Sequence, residues 1–326
     1  MRNTLSRRSL LAAGIAAPFA APAIAQGSWP DRPIRFVVPF APGGTTDILA
    51  RVLAPRLTAG LGVSVVVENR GGAGGTVGHE MVVRSPPDGN TIMLGHIGTL
   101  GVNPSLYPRL NFDPIGGVAP ISMVALVPNI LAVHPSVPAR TLPELIALAR
   151  AKPGELTYGS AGNGSAAHIA AAALGHAAGV EFTHVPYRGS GPMANDLIAG
   201  QIKFTMTGGT VVMPLVRDGR LRALGVSSRQ RMAADPSIPT IAEQGLPGFE
   251  TTQWYCVVTT AGVPAPIIAR LNAEIHKAMN EPDVRQRLAT EGAESAPGTP
   301  EALGTFMRAE VARWAEVIRL TGMRAD

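Results

Sequence analysis

The sequence predicts an α/β protein folded as two lobes, and three observations carry that expectation. Strand-like and helix-like runs alternate for most of the length, the pattern of parallel sheets with helices on both faces. The composition is aliphatic, with 46% apolar residues but only 5% Phe, Trp and Tyr, as suits buried parallel strands. About 300 residues remain once an N-terminal targeting segment is set aside, more than one hydrophobic core usually serves.

In chain order, Ile34–Val38 reads as a buried strand. The apolar spacing after Asp47 reads as a helix, in which Pro55 predicts a kink or early break. Val63–Val67 is a second strand, followed by a glycine turn and a helix near Thr76–Val83, and Thr91–Leu94 is a third strand. A central block follows: strand Asn129–His134, helix Thr141–Ala151, strand Leu156–Ser160, helix Ala166–Ala178 and strand Glu181–Val185. It continues with helix Pro192–Ala199 and the strands Lys203–Thr207 and Arg222–Ser227. Strand Gln253–Thr260 leads into three amphipathic helices, Pro266–Met279, Pro282–Glu291 and Pro300–Thr321, each opening beside a proline that suits a first turn. Trp314 in the last reads as core, and the series Arg308, Glu310, Arg313, Glu316 as a solvated face.

Residues 1–25 have the form of an export signal. Arg2, Arg7 and Arg8 make a charged start, Leu10 to Ala21 an apolar middle, and Ala23-Ile24-Ala25 a small-residue cleavage site before Gln26. The apolar part is short for a bilayer span, which needs roughly 20 residues. The arginine pair in Ser6-Arg7-Arg8-Ser9-Leu10-Leu11 is similar to a twin-arginine signal, with an ordinary Sec signal as the alternative. The expected mature protein is soluble and periplasmic. Removing the signal leaves 25 basic and 23 acidic residues, a net charge of +2, and no basic run, so nucleic acid is not an expected partner. The single cysteine, Cys256, forbids an internal disulfide and reads as a small buried apolar residue.

The most informative stretch is Pro39-Phe40-Ala41-Pro42-Gly43-Gly44-Thr45-Thr46-Asp47, a glycine loop between a strand and a helix. Such a loop presents free backbone N–H groups at the positive end of a helix dipole and can hold a carboxylate or a phosphate. A second loop, Tyr158 to His168, has the same form and adds the hydroxyls of Ser160 and Ser165. Two such loops, one per lobe, could close on one small anion at the carboxyl ends of the strands. A third glycine stretch, Glu68-Asn69-Arg70-Gly71-Gly72-Ala73-Gly74-Gly75, is either another backbone nest or a long surface turn, and Arg70 either guides an anion or pairs with Glu68.

Three enzyme readings compete for the second loop. Gly162 to Ala167 fits a relaxed G-x-G-x-x-A dinucleotide pattern with Glu181 downstream, but glycine-rich chains produce that match often. Ser160 or Ser165 with His168 and Asp196 could form a hydrolase triad, yet no G-x-S-x-G elbow is present. His168, His176 and His184 have spacings that match no metal-ligand motif. No cofactor or metal is expected.

The whole mature chain resembles the Bug family, periplasmic solute-binding receptors of tripartite tricarboxylate transporters. The resemblance runs through Trp29-Pro30-Asp31-Arg32-Pro33, Pro39–Asp47, Val65-Val66-Val67-Glu68-Asn69-Arg70 and Asn103-Pro104-Ser105-Leu106-Tyr107. It continues through Lys152 to Ser160, His184-Val185-Pro186-Tyr187-Arg188-Gly189, Pro239-Thr240-Ile241-Ala242-Glu243 and Gly298-Thr299-Pro300-Glu301. It implies a type II-like periplasmic binding protein fold, with 27–127 and 254–326 as one lobe, 128–253 as the other, and hinges near Val127 and Trp254. It also implies a monomeric receptor, not an enzyme, that takes a small organic carboxylate to membrane subunits. The alternative is an exported α/β enzyme acting on a small organic acid. The ligand residues implied are Phe40, Gly43, Gly44, Thr46, Asp47, Thr99, Ser160, Ala161, Gly164, Ser165, His168, Thr207 and Gly208. Asp47 cannot attract a carboxylate, so its expected task is to pin the loop, cap the helix or orient a water.

One departure bears on the ligand. After Lys203–Met206, where many relatives carry an acid that could pair with an amine, this chain has Thr207-Gly208-Gly209-Thr210. An ammonium group would lose its partner there, so a mono- or dicarboxylate without an amine is expected, unless Asp47, Asp196 or Glu250 reaches the cleft.

Overall fold

The computed structural model describes residues 29–107, 109–290 and 292–321, so the expected signal at 1–25 lies outside the described residues. The chain runs β1 (Ile34–Val38), α1 (Thr45–Leu61), β2 (Val65–Asn69), α2 (Thr76–Val83), β3 (Thr91–His96), α3 (Asn103–Leu106) and β4 (Val118–Val127). It then crosses into β5 (Asn129–Val133), α4 (Leu142–Ala151), β6 (Thr157–Ser160), α5 (Ala166–Ala178), β7 (Thr183–Pro186), α6 (Ser190–Ile198), β8 (Phe204–Gly208), α7 (Gly209–Arg217) and β9 (Arg222–Val226). It returns through β10 (Gln253–Thr260), α8 (Ala265–Met279), α9 (Pro282–Thr290), β11 (Glu294–Ser295) and α10 (Pro300–Thr321).

Two sheets make two lobes. The first has the strand order β11-β4-β10-β3-β1-β2 and the second β7-β6-β8-β5-β9. Each sheet is covered on both faces, because its strands are apolar on both sides. In the first lobe one core gathers Phe36, Leu53, Tyr255 and Ile275, and the opposite core gathers Val37, Leu100, Trp254 and Trp314. In the second lobe Leu131, Leu174 and Phe204 line one side, and Ile130, Met193 and Val212 the other. Fully burying one such side chain is worth roughly 1.5–3 kcal/mol, so the cores hold the strand ends in place for the loops that leave them.

The parallel-sheet expectation is only partly met. β1 pairs in parallel with β2 and β3, and β6 with β7 and β8. β10 is antiparallel to β3 and β4, and β5 to β8 and β9. The reason is connectivity: β5 and β10 are the strands by which the chain enters and leaves the second lobe. They reach their sheets without a crossover helix, so nothing forces a parallel return.

Two further expectations are corrected. α1 does not break at Pro55 but runs on to Leu61, where Gly62 closes it in the left-handed conformation with φ 76°. Arg51, whose carbonyl loses the missing N–H, lies with Pro55 on the exposed face, so water can satisfy that carbonyl. The stretch after β8, where the sequence pattern marks no element, forms a helix, α7. Glu310 is no solvated residue, since it is buried and its carboxylate accepts from Trp254 Nε1 at 2.7 Å, Trp314 Nε1 at 3.0 Å and Arg313 at 3.2 Å. Cys256 is buried in β10, and burial pushes its thiol pKa up, as an inert core residue requires.

Candidate functional site

The cleft between the lobes is built from loops that end strands. β1 feeds the Pro39–Gly44 loop into α1, β6 feeds 161–165 into α5, β7 leads to α6, and β8 turns at Gly208 into α7. The first N–H groups of a helix lack partners inside it. Ser165 caps α5, where the His168 N–H donates to its Oγ at 3.4 Å. The other three helices begin at Gly44, Gly189 and Gly208, none of which has a side-chain oxygen to absorb those donors. Donors and dipole ends from both lobes therefore converge on one space.

That space is lined by Phe40, Gly44, Thr45, Thr46, His96, Ala161, Ser165, Ala166, Ala167, Ser190, Thr207, Gln253 and Tyr255. Its cavity volume is only about 20 Å³. The lobes are thus drawn close together. Hydrogen bonds span the seam: the Ala41 N–H donates to Arg188 O at 3.2 Å, Tyr107 Oη to Asn163 O at 3.0 Å, and the Thr45 and Thr210 hydroxyls meet at 2.7 Å. None of the lining residues is Asp, Glu, Lys or Arg. An anion placed here would meet dipoles and neutral donors rather than a counter-charge.

Of the residues implied by resemblance, Phe40, Gly44, Thr46, Ala161, Ser165 and Thr207 stand on the wall. The others do not line it. The Gly43 N–H donates to the Asp47 carboxylate at 3.0 Å, and Arg51 Nε and Asn69 Nδ2 do so at the same distance. Asn69 also donates to Phe40 O at 3.0 Å, so Asp47 pins the loop from the rear. Burial opposes the charge on Asp47, but these hydrogen bonds outweigh it and hold the carboxyl below its ordinary pKa.

Thr99 is fully buried and braces His96: its N–H donates to His96 Nδ1 at 3.2 Å, and its Oγ1 accepts the His96 N–H at 3.1 Å. Ser160 is spent inside its own loop, 2.6 Å from His184 Nε2 and accepting the Gly162 N–H at 3.0 Å. His168 Nδ1 accepts the Gly164 N–H at 3.1 Å, and its ring stacks on His184 with centroids 4.2 Å apart. Burial, and then the neighbouring His168, push His184 down to about 3, so it is neutral at physiological pH. Gly208 is the N-cap of α7, pressed against Thr45: a Cβ there would stand 2.7 Å from Thr45 Oγ1.

The rival readings do not assemble. Ser160 is buried away from the cleft wall, and Asp196 accepts from Tyr187 Oη at 2.8 Å instead of joining a triad with His168. Among the described residues no group of His, Cys, Asp and Glu could hold a metal. Arg70 pairs with Glu68, and the glycine stretch after it packs into the seam, with Gly74 against Asn163 O and Gly71 near Arg188 O. Glu250 pairs with Arg229 at 2.7 Å, so none of the acids that could have met an amine lines the cleft.

The residues that sequence reasoning missed are Thr45, His96, Ala166, Ala167, Ser190, Gln253 and Tyr255. Thr45, Ala166 and Ala167 are the first-turn neighbours of residues already singled out, and their position beside the glycines was the available signal. His96 and Tyr255 face each other across β3 and β10, an antiparallel pairing that no local pattern announces.

The profile of the tripartite tricarboxylate transporter family receptor matches residues 49–323. The chain is 38% identical over 313 residues to the protein BugT of Bordetella pertussis, covering 96% of this chain and 94% of that one. It is similar to an R. palustris protein solved with adipate, with a TM-score of 0.88, 37% identity and coverage of 91% of this chain and 99% of that one. It is also similar to MatC from Rhodopseudomonas palustris with bound malate, with a TM-score of 0.85, 33% identity and coverage of 89% and 99%. No helix among the described residues is long and apolar enough to cross a membrane.

Proposed function

The chain belongs to the family of tripartite tricarboxylate transporter receptors, which are solute-binding proteins and not enzymes, and from that premise we propose that it captures a small, amine-free carboxylate in the periplasm and hands it to membrane subunits. The observation that carries this reading is the cleft wall: helix starts from both lobes, with no charged side chain between them. Backbone N–H groups and dipole ends favour a carboxylate. An ammonium group would be buried with no acid to meet it, which is costly. The adipate and malate held by two relatives are amine-free acids of this kind.

With so little room for water inside, a ligand enters when the lobes part, and closure is a hinge motion. The lobes that swing are 27–127 with 254–326 against 128–253, about the two crossings near Val127 and Trp254. Export by the twin-arginine route follows from Arg7 and Arg8, and normal export of a protein with both changed to lysine would reassign it to the Sec route.

A thermal-shift screen tests the ligand class, because a bound ligand raises the melting temperature. Succinate, malate and adipate are expected to stabilise the protein, and aspartate and glutamate to leave it unchanged. Stabilisation by the amino acids alone would overturn the reading.

A further inference from the structure

His96 is buried, yet it is the one imidazole on the cleft wall. Its ring lies between two aromatic residues that also line the cleft, with centroids 4.7 Å from Phe40 and 5.8 Å, edge-on, from Tyr255. The Thr99 N–H donates to Nδ1, so in the neutral ring the proton must sit on Nε2. The ring is held from three sides, and its orientation is fixed before any ligand arrives.

We propose that His96 is the specificity-determining donor of this site, giving a hydrogen bond from Nε2 to an oxygen of the bound carboxylate. The proposal rests on the carboxylate-receptor reading and adds the side chain that tells one acid from another. The groups around the ring leave the task to it. Phe40 from the loop after β1 cannot donate, Thr99 from its own turn is engaged with His96, and Tyr255 from β10 gives its proton to Gln253 Oε1. No acidic or basic side chain lines the cleft to compete.

A consequence follows for pH. Burial holds the ring down at about 4, so it meets the anion as a neutral donor. A carboxylate placed against Nε2 favours the imidazolium and raises that value, typically by about 1–3 units for an opposite charge within contact range. Binding then takes up a proton in part. Affinity is greatest at low pH and falls as pH rises through the ring's value in the complex.

The test measures dissociation constants by calorimetry for succinate, malate and adipate between pH 5 and pH 8. It compares the wild type with His96→Gln, which keeps a donor but cannot titrate, and His96→Phe, which has none. For the acid that binds the wild type most tightly, His96→Phe should lose about tenfold, the worth of one hydrogen bond to a charged group. The ratio of wild-type to His96→Gln affinity, in which titration of the acid itself cancels, should fall by about twofold or more from pH 5 to pH 8. Melting curves of the free variants separate a folding defect from a binding one. A His96→Phe protein that folds and binds within twofold of wild type, or a ratio flat with pH, overturns the proposal and leaves the receptor reading intact. A wild type that binds none of the three acids overturns both.

Discussion

The loop after β1 and the loop after β6 make the same offer to a ligand by different means. Each ends a buried strand, turns on glycine and opens a helix toward the cleft. The first is held by charge: Asp47 collects the Gly43 N–H, Arg51 and Asn69, and no side chain caps the helix. The second is held by neutral groups: Ser160 and His184 in contact, His168 stacked behind them, Gly164 donating to His168, and Ser165 as the cap. The difference teaches that an anion site can be rigid without placing charge where the ligand sits. The one carboxylate near the site is turned away and neutralised from behind.

The largest expected break in the comparison is at the glycines. Gly164 has φ 77°, and a Cβ there would come within 2.3 Å of Asn103 Oδ1 and 2.9 Å of Leu106 Cδ2. Gly43 has a similar φ of 86°, but its Cβ would meet nothing nearer than 3.5 Å. Gly164→Ala therefore suffers strain and overlap together and should cost about 3 kcal/mol or more. Gly43→Ala suffers the left-handed strain alone and should cost about 1–2 kcal/mol. Urea unfolding of the two variants measures both, and equal costs would mean that Asn103 and its neighbours yield.

Next in size is Asp47→Ala, which strands three donors at once. The expected loss is about 2 kcal/mol of stability, lessened where Arg51 can turn to water. Its pH signature has a definite sign. The folded carboxyl titrates below its ordinary 3.8, so its contribution is complete above that value and is lost only as pH falls through the lower folded one.

His184 behaves in the opposite range. Its folded value of about 3 lies below the ordinary 6.5, so the unfolded chain takes up a proton first. Stability is therefore full above pH 6.5 and erodes as pH falls from 6.5 toward 3. An acid titration of melting temperature should show His184→Asn flattening the slope between pH 6.5 and 4.5, and Asp47→Asn leaving that slope alone. If the two variants exchange these effects, the division into a charged and a neutral loop is wrong.

Much of this contrast was legible before any coordinates. The strands Ile34–Val38 and Gln253–Thr260 and the helices Thr76–Val83 and Ala166–Ala178 stand where their apolar patterns put them, because burial on a sheet face is written into local sequence. The two loops are legible because glycine between a strand and a helix leaves backbone N–H groups free at the helix start. What escaped depends on tertiary partners. α7 hides because Val211, Val212 and Pro214 argue locally against a helix, while packing against β5 and β8 enforces one. β4 hides because Pro120 interrupts its apolar run, tolerated where the ladder shifts register between Val257 and Val258. His96 lines the wall beside Tyr255, its partner across the β3–β10 pairing, which no local pattern marks. Thr99 braces His96 on the wall, and Ser160 and His168 bond to His184 and Gly164 within the second loop's surroundings, contacts that only the folded chain reveals.

The smallest effect is expected at Ser165, where the two loops differ by a single cap. Its hydroxyl accepts the His168 N–H at a long 3.4 Å, and the same residue lines the cleft. Ser165→Ala removes one weak hydrogen bond from the helix start, so stability should drop by about 0.5–1 kcal/mol. Its effect on affinity separates two modes of recognition. If the hydroxyl turns from the cap to a ligand oxygen on closure, binding of the acid found in the thermal screen weakens by roughly 1 kcal/mol. If the N–H groups of Ala166 and Ala167 hold the anion, affinity stays within a few tenths of a kcal/mol, as at the uncapped start of α1. The expected result is the second, because three of the four helices at this cleft begin at glycines with no side-chain oxygen at all. Calorimetry on the single variant decides between them, and a loss well above 1 kcal/mol would make Ser165 a direct anchor and the second loop the dominant half of the clamp.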